Sequence, residues 1–532
     1  MTGENDVPAS DPQLVTEVED IAQDDPTPAA RPRRSLLYRA QRYAYRKFPS
    51  IVPDPGRAEL LEECRKHDDE DNAQSEPPED EAIDLKCMWG VEFYTPSQIG
   101  ELLRRFEKLG WNRDDPSSLD RNPVTWLRSF RESTHGTAWF NLGPLHREGD
   151  PGFFHHGRAA PLPPGVEYAL ATMYSLTPSI SCIVVGFILD ETQGRRFEVA
   201  LRRKRKTLLN PVKGGGYRIP GPVHQKEDDV RTIRAELRSM VAEWFRTNLP
   251  GLFAGDALAG EFPTCELTTL LKTQPCPADR QAQRDAHWWL GLLDIDHDFR
   301  AWKAERIPGL KFQWPLMRDK ENRFHSVLTC REDAIPDKTF EMYGERRRST
   351  FALHIDRMVN SLLSRWGLLG LLAAYEKHLN TTRDTATFES GHYKKPLALL
   401  EALRGHVALS VDVSATAGDL KRLSEDKRTF GHDVPDFRPC HPSHYINEDI
   451  TLEEALRDQI TERADWLRDF DRSVRDLLIQ YGTTLGTHEN IKIQRRMSLL
   501  TWAIVALTVL IAILTAVTTT VSVNGGSLAW PW

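Results

Sequence analysis

The chain has 532 residues, 40 % of them hydrophobic and 27 % charged, with a formal net charge of −8. That composition belongs to water-soluble globular matter and excludes a collagenous or wholly disordered chain. The acidic balance leaves no reason to expect a nucleic-acid partner, and seven scattered cysteines form no disulfide framework and read as free thiols. Arginine far outnumbers lysine, a compositional sign of a GC-rich, bacterial genome.

Residues 1–84 read as an acidic, disordered N terminus, because 1–30 are rich in Asp, Glu, Pro, Ala and Thr and bury too little apolar surface to offset ordering entropy. The first residues have neither a basic nor an apolar region of the kind a signal peptide needs, so none is expected. Within this stretch, 31–48 carries seven basic residues and no acid, with Leu36, Ala40, Tyr43, Ala44 and Phe48 at helical spacing. Such a basic amphipathic helix can lie on an anionic leaflet or dock on an acidic face of the same protein. The acidic run at 59–84 supplies a face of that kind.

Residues 85–345 alternate strand and helix signals, which predicts an α/β or α+β cytosolic domain. The run LKCMWGVEFY reads as a strand. Thr95, Pro96, Ser97 and Gln98 then mark the start of a helix that stops at Gly110. Strands are expected at 165–176 and 179–190, on either side of Thr177 and Pro178, and CIVVGFIL is apolar on both pleat faces, as in a central strand. A basic helix over 195–208 and a second helix over 227–245 precede strands expected at 262–271, 287–293 and 323–329.

Residues 350–490 read as a helical stalk region. Phe351, Ile355, Val359, Leu362, Trp366 and Leu369 mark one face of a helix ending near Leu379, and Arg365 and Glu376 bound its most apolar stretch too closely for a membrane span. Another helix is expected at 393–423. From Leu452 onward, Leu456, Ile460, Leu467, Phe470, Val474, Leu477 and Tyr481 follow steps of three and four, as in a coiled-coil seam, with Gly482 and Gly486 expected to loosen it.

From Met497 to Trp532 there is no charged side chain. The stretch 499–523 is almost unbroken Leu, Ile, Val, Ala and Thr; at ~1.5 Å per residue it is roughly 37 Å long, enough to cross a hydrocarbon core of about 30 Å. We therefore expect a single C-terminal transmembrane helix at 497–523 and a short external tail at 524–532. Lys492, Arg495 and Arg496 before the span, with Trp502 and Trp530 at its two ends, predict a cytoplasmic N terminus and main domain in the cell membrane. Thr501, Thr508, Ala512, Thr515 and Thr519 form a small, partly polar stripe of the kind that lies between packed helices in lipid, so self-association is expected. Alternatively, each Thr hydroxyl is satisfied by its own helix carbonyls.

The order of stalk helix, tyrosine-containing segment, Asn490 and then Arg496, Met497, Ser498, Leu499, Leu500 and Thr501 at membrane entry resembles the stalk and inner transmembrane helix of the CorA-type divalent-cation transporters. The resemblance covers about 70 residues. That family ends its first span with a Gly-Met-Asn signature and adds a second span. Here Val523, Asn524, Gly525 and Gly526 follow the first span, so ion selectivity is not implied and no metal-binding residue carries over.

Three clusters are candidates for chemistry. The loop VKGGGYRIPGP follows a basic run, and Arg203, Lys204, Lys206, Lys213, Gly214, Gly215 and Gly216 could together cradle an anion, although neither a P-loop nor a dinucleotide fingerprint is present. Asp294, Asp296 and Asp298 could share one strand face and hold a divalent metal, with His287 and His297 beside them, or could simply be an acidic turn. His432, Cys440, His441 and His444 form a Cys/His cluster that lacks the paired CxxC spacing of common zinc sites, and His155 with His156 has no visible third ligand. No cofactor is indicated. The reading that follows is a membrane-anchored binding, scaffold or effector protein, with a tethered phosphate-ester hydrolase and a diverged CorA-like ion-conducting assembly as alternatives.

Overall fold

The computed structural model describes residues 36–47, 57–112, 122–132, 137–149, 157–212, 217–255, 261–275, 288–295, 301–314, 324–341, 347–391, 412–431, 434, 436–440 and 450–523. They fall in two units, 1–66 with 208–218, and 67–207 with 219–532. The first holds helices α1 (Leu36–Lys47) and α2 (Arg57–Arg65) and a short hairpin of Asn210–Pro211 against Tyr217–Arg218, with Arg57 donating to the Leu209 carbonyl at 3.3 Å.

In the second unit the elements begin with α3 (Asp68–Gln74), β1 (Ile83–Tyr94), α4 (Ile99–Lys108), α5 (Pro123–Glu132), β2 (Ala138–His146), β3 (Arg158–Ala159), β4 (Val166–Thr177), β5 (Ile180–Leu189), α6 (Arg196–Arg202) and α7 (Pro222–Asn248). They continue with β6 (Thr264–Leu270), α8 (Trp288–Leu292), β7 (Ala301–Ala304), β8 (Lys311–Gln313), β9 (His325–Arg331), α9 (Arg348–Gly391), a helix over 412–425, β10 (Phe437–Pro439) and α10 (Leu452–Val523). The ten strands form one mixed sheet in the order β10-β7-β8-β9-β6-β1-β5-β4-β2-β3. Most pairs are antiparallel, with β9 parallel to β6 and β3 parallel to β2. The expected mixed α/β domain and its single apolar C-terminal helix are both present.

Helices cover both faces of the central strands, which is why successive residues of β1 and β5 are buried. Alternation along β1 sorts the two layers. A Cβ on Gly90 would fall inside Val241 of α7 and Phe262, whereas Val91 and Phe93 point the other way, where a Cβ on Gly367 of α9 would lie 2.9 and 2.7 Å from them. Each glycine therefore lets a helix approach β1 closely.

Several expectations need correcting. Residues 57–84 are not part of a disordered tail: they contain α2 and α3 and lead into β1. Asp68 accepts from the Thr207 amide (2.9 Å) and hydroxyl (2.5 Å), and Asn72 exchanges hydrogen bonds with the Arg205 backbone. These contacts hold 203–207 extended, so the basic helix ends at Arg202 rather than at 208. The expected strand at 287–293 is instead helix α8, where the run WWLGL buries Trp289, Leu290 and Leu292. Residues 393–411 lie outside the described residues, but helix is present from 412.

The helical region does not stand apart as a stalk. Helix α9 extends to Gly391 and lies across β1, β4 and β5, with Phe351, Ile355, Val359, Leu362, Trp366 and Leu369 all buried. Helix α10 starts with a reciprocal capping box: the Glu454 carboxylate accepts from the Thr451 amide, and Thr451 Oγ1 accepts from the Glu454 amide, each at 3.1 Å. Leu456, Ile460, Ala464, Leu467, Val474 and Leu478 are then buried, and α10 packs on α9. The apolar seam is thus filled by this chain's own helix. Gly482 and Gly486 do not break α10, although each costs about 1 kcal/mol against alanine in a helix.

Because the seam closes within one chain, L467A should destabilise the detergent-solubilised protein by ~2–5 kcal/mol, with a urea midpoint that does not move with protein concentration. A concentration-dependent midpoint would place the seam between chains.

Candidate functional site: the apolar helix and the buried charges of the domain

Helix α10 has 72 residues, about 108 Å of rise. Its first third is packed in the domain. Its last part, Asn490–Thr520, is 31 residues long, apolar enough to cross a membrane, and has none of its surface buried. Leu499, Leu500, Ile504, Leu507, Leu510, Ile511, Ile513 and Leu514 are all exposed. A soluble protein rarely exposes so large a contiguous apolar surface, and a bilayer is the environment in which a lone helix of this length is satisfied, since all its backbone groups bond within the segment. Lys492, Arg495, Arg496 and Trp502 stand exposed at the entry to this segment, while Trp530 lies outside the described residues.

The threonines of the small stripe behave as the alternative reading expects. Thr501, Thr508, Thr515 and Thr519 donate to the carbonyls of Met497, Ile504, Ile511 and Thr515 at 2.6–2.9 Å, so the helix by itself satisfies them. Ala512 lies on the same exposed surface.

The anion-binding candidates are only partly brought together. Arg202 is taken up by Glu198 at 2.9 Å and by the carbonyls of Pro78 and Glu81, and Arg205 by Asp229. Arg203, Lys204 and Lys206 remain exposed, with Arg203 beside Arg195, Glu198, Val199 and Arg202 at an open hollow of about 460 Å³. Lys213, Gly214, Gly215 and Gly216 lie outside the described residues. So do His432, His441 and His444. Cys440 is buried just after β10, and among the described residues no group of three His, Cys, Asp or Glu is placed to hold a metal. Asp294 follows α8 with φ 55°, so it is not on a strand face, and Asp296, His297, Asp298, His287, His155 and His156 lie outside the described residues.

The sequence reading missed a buried charged cluster on the α7 side of the sheet. Arg234 of α7 donates through Nε and Nη2 to both oxygens of Glu266 on β6 (3.0 and 2.8 Å), through Nη1 to Asp294 (2.5 Å) and through Nη2 to the Leu293 carbonyl (2.7 Å). His325 Nε2 lies 3.0 Å from Glu266, and its Nδ1 2.9 Å from Thr264 Oγ1. Burial alone would raise the Glu266 carboxyl, but the adjoining Arg234 and the hydrogen bond from His325 bring it down to about 2. Burial holds His325 below the ordinary imidazole range in spite of Glu266. Thr264, Glu266 and His325 resemble a relay, yet all are buried, so no substrate can reach them. The cluster therefore clamps α7 and α8 to β6 and β9. Its signal in the sequence was Glu266 in TCELTTL, a carboxylate among residues with strand periodicity.

On the other face, Asp356 of α9 accepts from Trp89 Nε1 (3.0 Å) and from Asn360 (2.7 Å), which also donates to Thr172 (3.2 Å). Burial pushes the Asp356 carboxyl up to about 6. Glu92, pointing towards α7, accepts from the amides of Phe93, Phe253 and Ala254 (2.7–2.9 Å), and burial pushes it up to about 7 against their pull. The chain matches no protein-family model, and no curated protein is significantly similar to it.

Removing Arg234 strands Glu266 as a buried charge, so R234A should destabilise the protein by about 3–5 kcal/mol, measured by urea unfolding at neutral pH. A loss no larger than a surface substitution would contradict the clamp. Asp356 gives a pH test. A carboxyl raised on folding contributes stability that is complete below its unfolded value, about pH 4, and is lost as the pH rises through about 6. The wild type should therefore lose stability relative to D356N over that window, by on the order of 1–3 kcal/mol. A constant difference across the window would contradict the assignment.

Proposed function

We propose that this is a membrane-anchored intracellular binding or scaffold protein whose α/β domain is held at the inner face of the cell membrane by α10. The observation that carries this reading is the continuity of α10, from residues packed against α9 to a bilayer-length stretch with no protein cover. No loop intervenes. The domain is thus held at a fixed distance from the bilayer rather than tethered flexibly, which suits a module that presents or senses something at a defined height. Lys492, Arg495 and Arg496 beside the span support a cytoplasmic domain, because short basic flanks stay on that side.

The same continuity favours a second reading, a diverged CorA-like assembly in which several copies of the helix line a path. In that case the detergent-solubilised protein is a defined oligomer that loses its mass when the span is removed. A phosphate-ester hydrolase draws no support from the described residues, since Arg202 and Arg205 are taken up internally and Asp294 is bound to Arg234.

Topology reporters test the main reading. A fluorescent protein fused before Met1 should fluoresce, and a phosphatase that is active only outside the cytoplasm should be active when fused after Trp532. The membrane fraction should resist alkaline extraction, and I511R at the span centre, costing about 2.5–3.5 kcal/mol, should release part of the protein. Reversed reporter activities would overturn the orientation, and full alkaline extraction of the wild type would overturn the anchor.

A further inference from the structure

We propose that α1 is a second membrane contact, an interfacial helix that lies on the anionic lipid headgroups of the leaflet at which α10 holds the domain. The inference rests on the anchored reading and extends it to a partner for a helix that the reading leaves unused.

The sequence of α1, LLYRAQRYAYRK, contains four basic residues and no acid. By the sequence pattern at 100° per residue, positions 39, 42 and 46, all arginine, fall on one side of a helical wheel, and positions 36, 40, 43 and 44 fall on the adjoining one. Tyr43 is 67 % exposed and Ala40 is also exposed, with Ala44 partly buried, so Ala40 and Tyr43 are open to a partner. Twelve residues rise only about 18 Å, too short to cross a bilayer and suited to lying in its interface, where tyrosine rings and arginine side chains are both accommodated.

Charge singles out this segment as well. The chain as a whole is acidic, yet 31–48 has seven basic residues and no acid, so it is where an anionic surface meets least repulsion. The rival partner was the acidic run at 59–84. Four of its twelve acids are taken up within the second unit: Asp68 by Thr207, Asp80 by Lys272, Glu81 by the Leu271 and Thr273 amides, and Asp84 by Lys86 and Arg348.

A helix with so little apolar surface binds lipid weakly by itself, and stable attachment takes two signals. The span supplies the other. Once α10 is in the bilayer, contact of α1 with the headgroups becomes an intramolecular event at high effective concentration. Three to four arginine and lysine positions then suffice to hold it at low ionic strength, and salt weakens the contact because the charges stay within reach of water.

Hydrogen–deuterium exchange of the full-length protein tests this, in nanodiscs of phosphatidylcholine alone and in nanodiscs that also contain phosphatidylglycerol. In the phosphatidylglycerol discs the α1 amides should exchange about tenfold more slowly or more, the protection should shrink in high salt, and R39E/R42E/R46E should abolish it while exchange in β1 and β5 is unchanged. If the protein embeds in both discs and α1 exchanges equally in them, the inference is overturned and the anchor stands. Equal protection in both discs and in detergent would mean that α1 docks on protein, which also overturns it. A chain that fails to enter either disc overturns the anchor and the inference together.

Discussion

Between Leu452 and Leu478 the last helix gives up its apolar face to α9, and the backbone hydrogen-bond ladder begun there continues to Val523. That single ladder constrains the rest of the molecule. Burial of Leu456, Ile460, Leu467 and Val474 fixes the direction of the helix at its start, and the capping box of Thr451 and Glu454 fixes its first turn. Beyond Leu478 no side-chain packing is needed to set its course, because helix propagation adds one hydrogen bond for each residue fixed. Two glycines in this stretch weaken the ladder without interrupting it.

The two faces of the sheet are secured by different chemistry. Towards α7 the contact is ionic, with Arg234 between Glu266 and Asp294 and His325 completing the set. Towards α9 it is a ladder of neutral and acidic hydrogen bonds through Trp89, Asp356, Asn360 and Thr172, set among large apolar side chains. Buried ionic contacts of the first kind add little net stability against an apolar replacement, but they are costly to break singly. They therefore fix which helix lies where more than they add to the total. Since α9 is the partner of α10, the ladder through Asp356 and the apolar side chains around it are the contacts by which the sheet holds the start of α10 in place.

Much of this was legible in the sequence and some was not, for identifiable reasons. The strand at β5 announced itself because both pleat faces are apolar, and the span because charge vanishes after Arg496. The pattern of Phe351, Ile355, Val359, Leu362 and Trp366 correctly gave a buried face, but its partner was invisible, since amphipathic periodicity says that a face is covered and not by what. The same limit left open what fills the seam of α10, which the structure packs on α9. WWLGL was read as strand because aromatic residues have strand preference, whereas the burial of the neighbours Trp289 and Leu290 together with Leu292 and Leu293 follows a helical face and not the alternation of a strand. The helical end of 195–208 was misplaced because Asp68 and Asn72, more than a hundred residues upstream, hold 203–207 extended. Among the site candidates, the basic run kept only Arg203, Lys204 and Lys206 at the surface, since neighbouring acids and carbonyls were already arranged to receive Arg202 and Arg205.

The claim on which the account depends is that α10 is one stiff helix from domain to membrane. Spin labels at Ser473 and Ser498, in the full-length protein in nanodiscs, measure it directly by pulsed electron–electron resonance. An unbroken helix places the two backbone positions about 38 Å apart, and the account predicts a single narrow distance distribution around that value. A broad distribution, or one centred well below it, would mean that the helix bends or unwinds at Gly482 and Gly486, and the domain would then be a flexible tether's cargo rather than a module held at a fixed height.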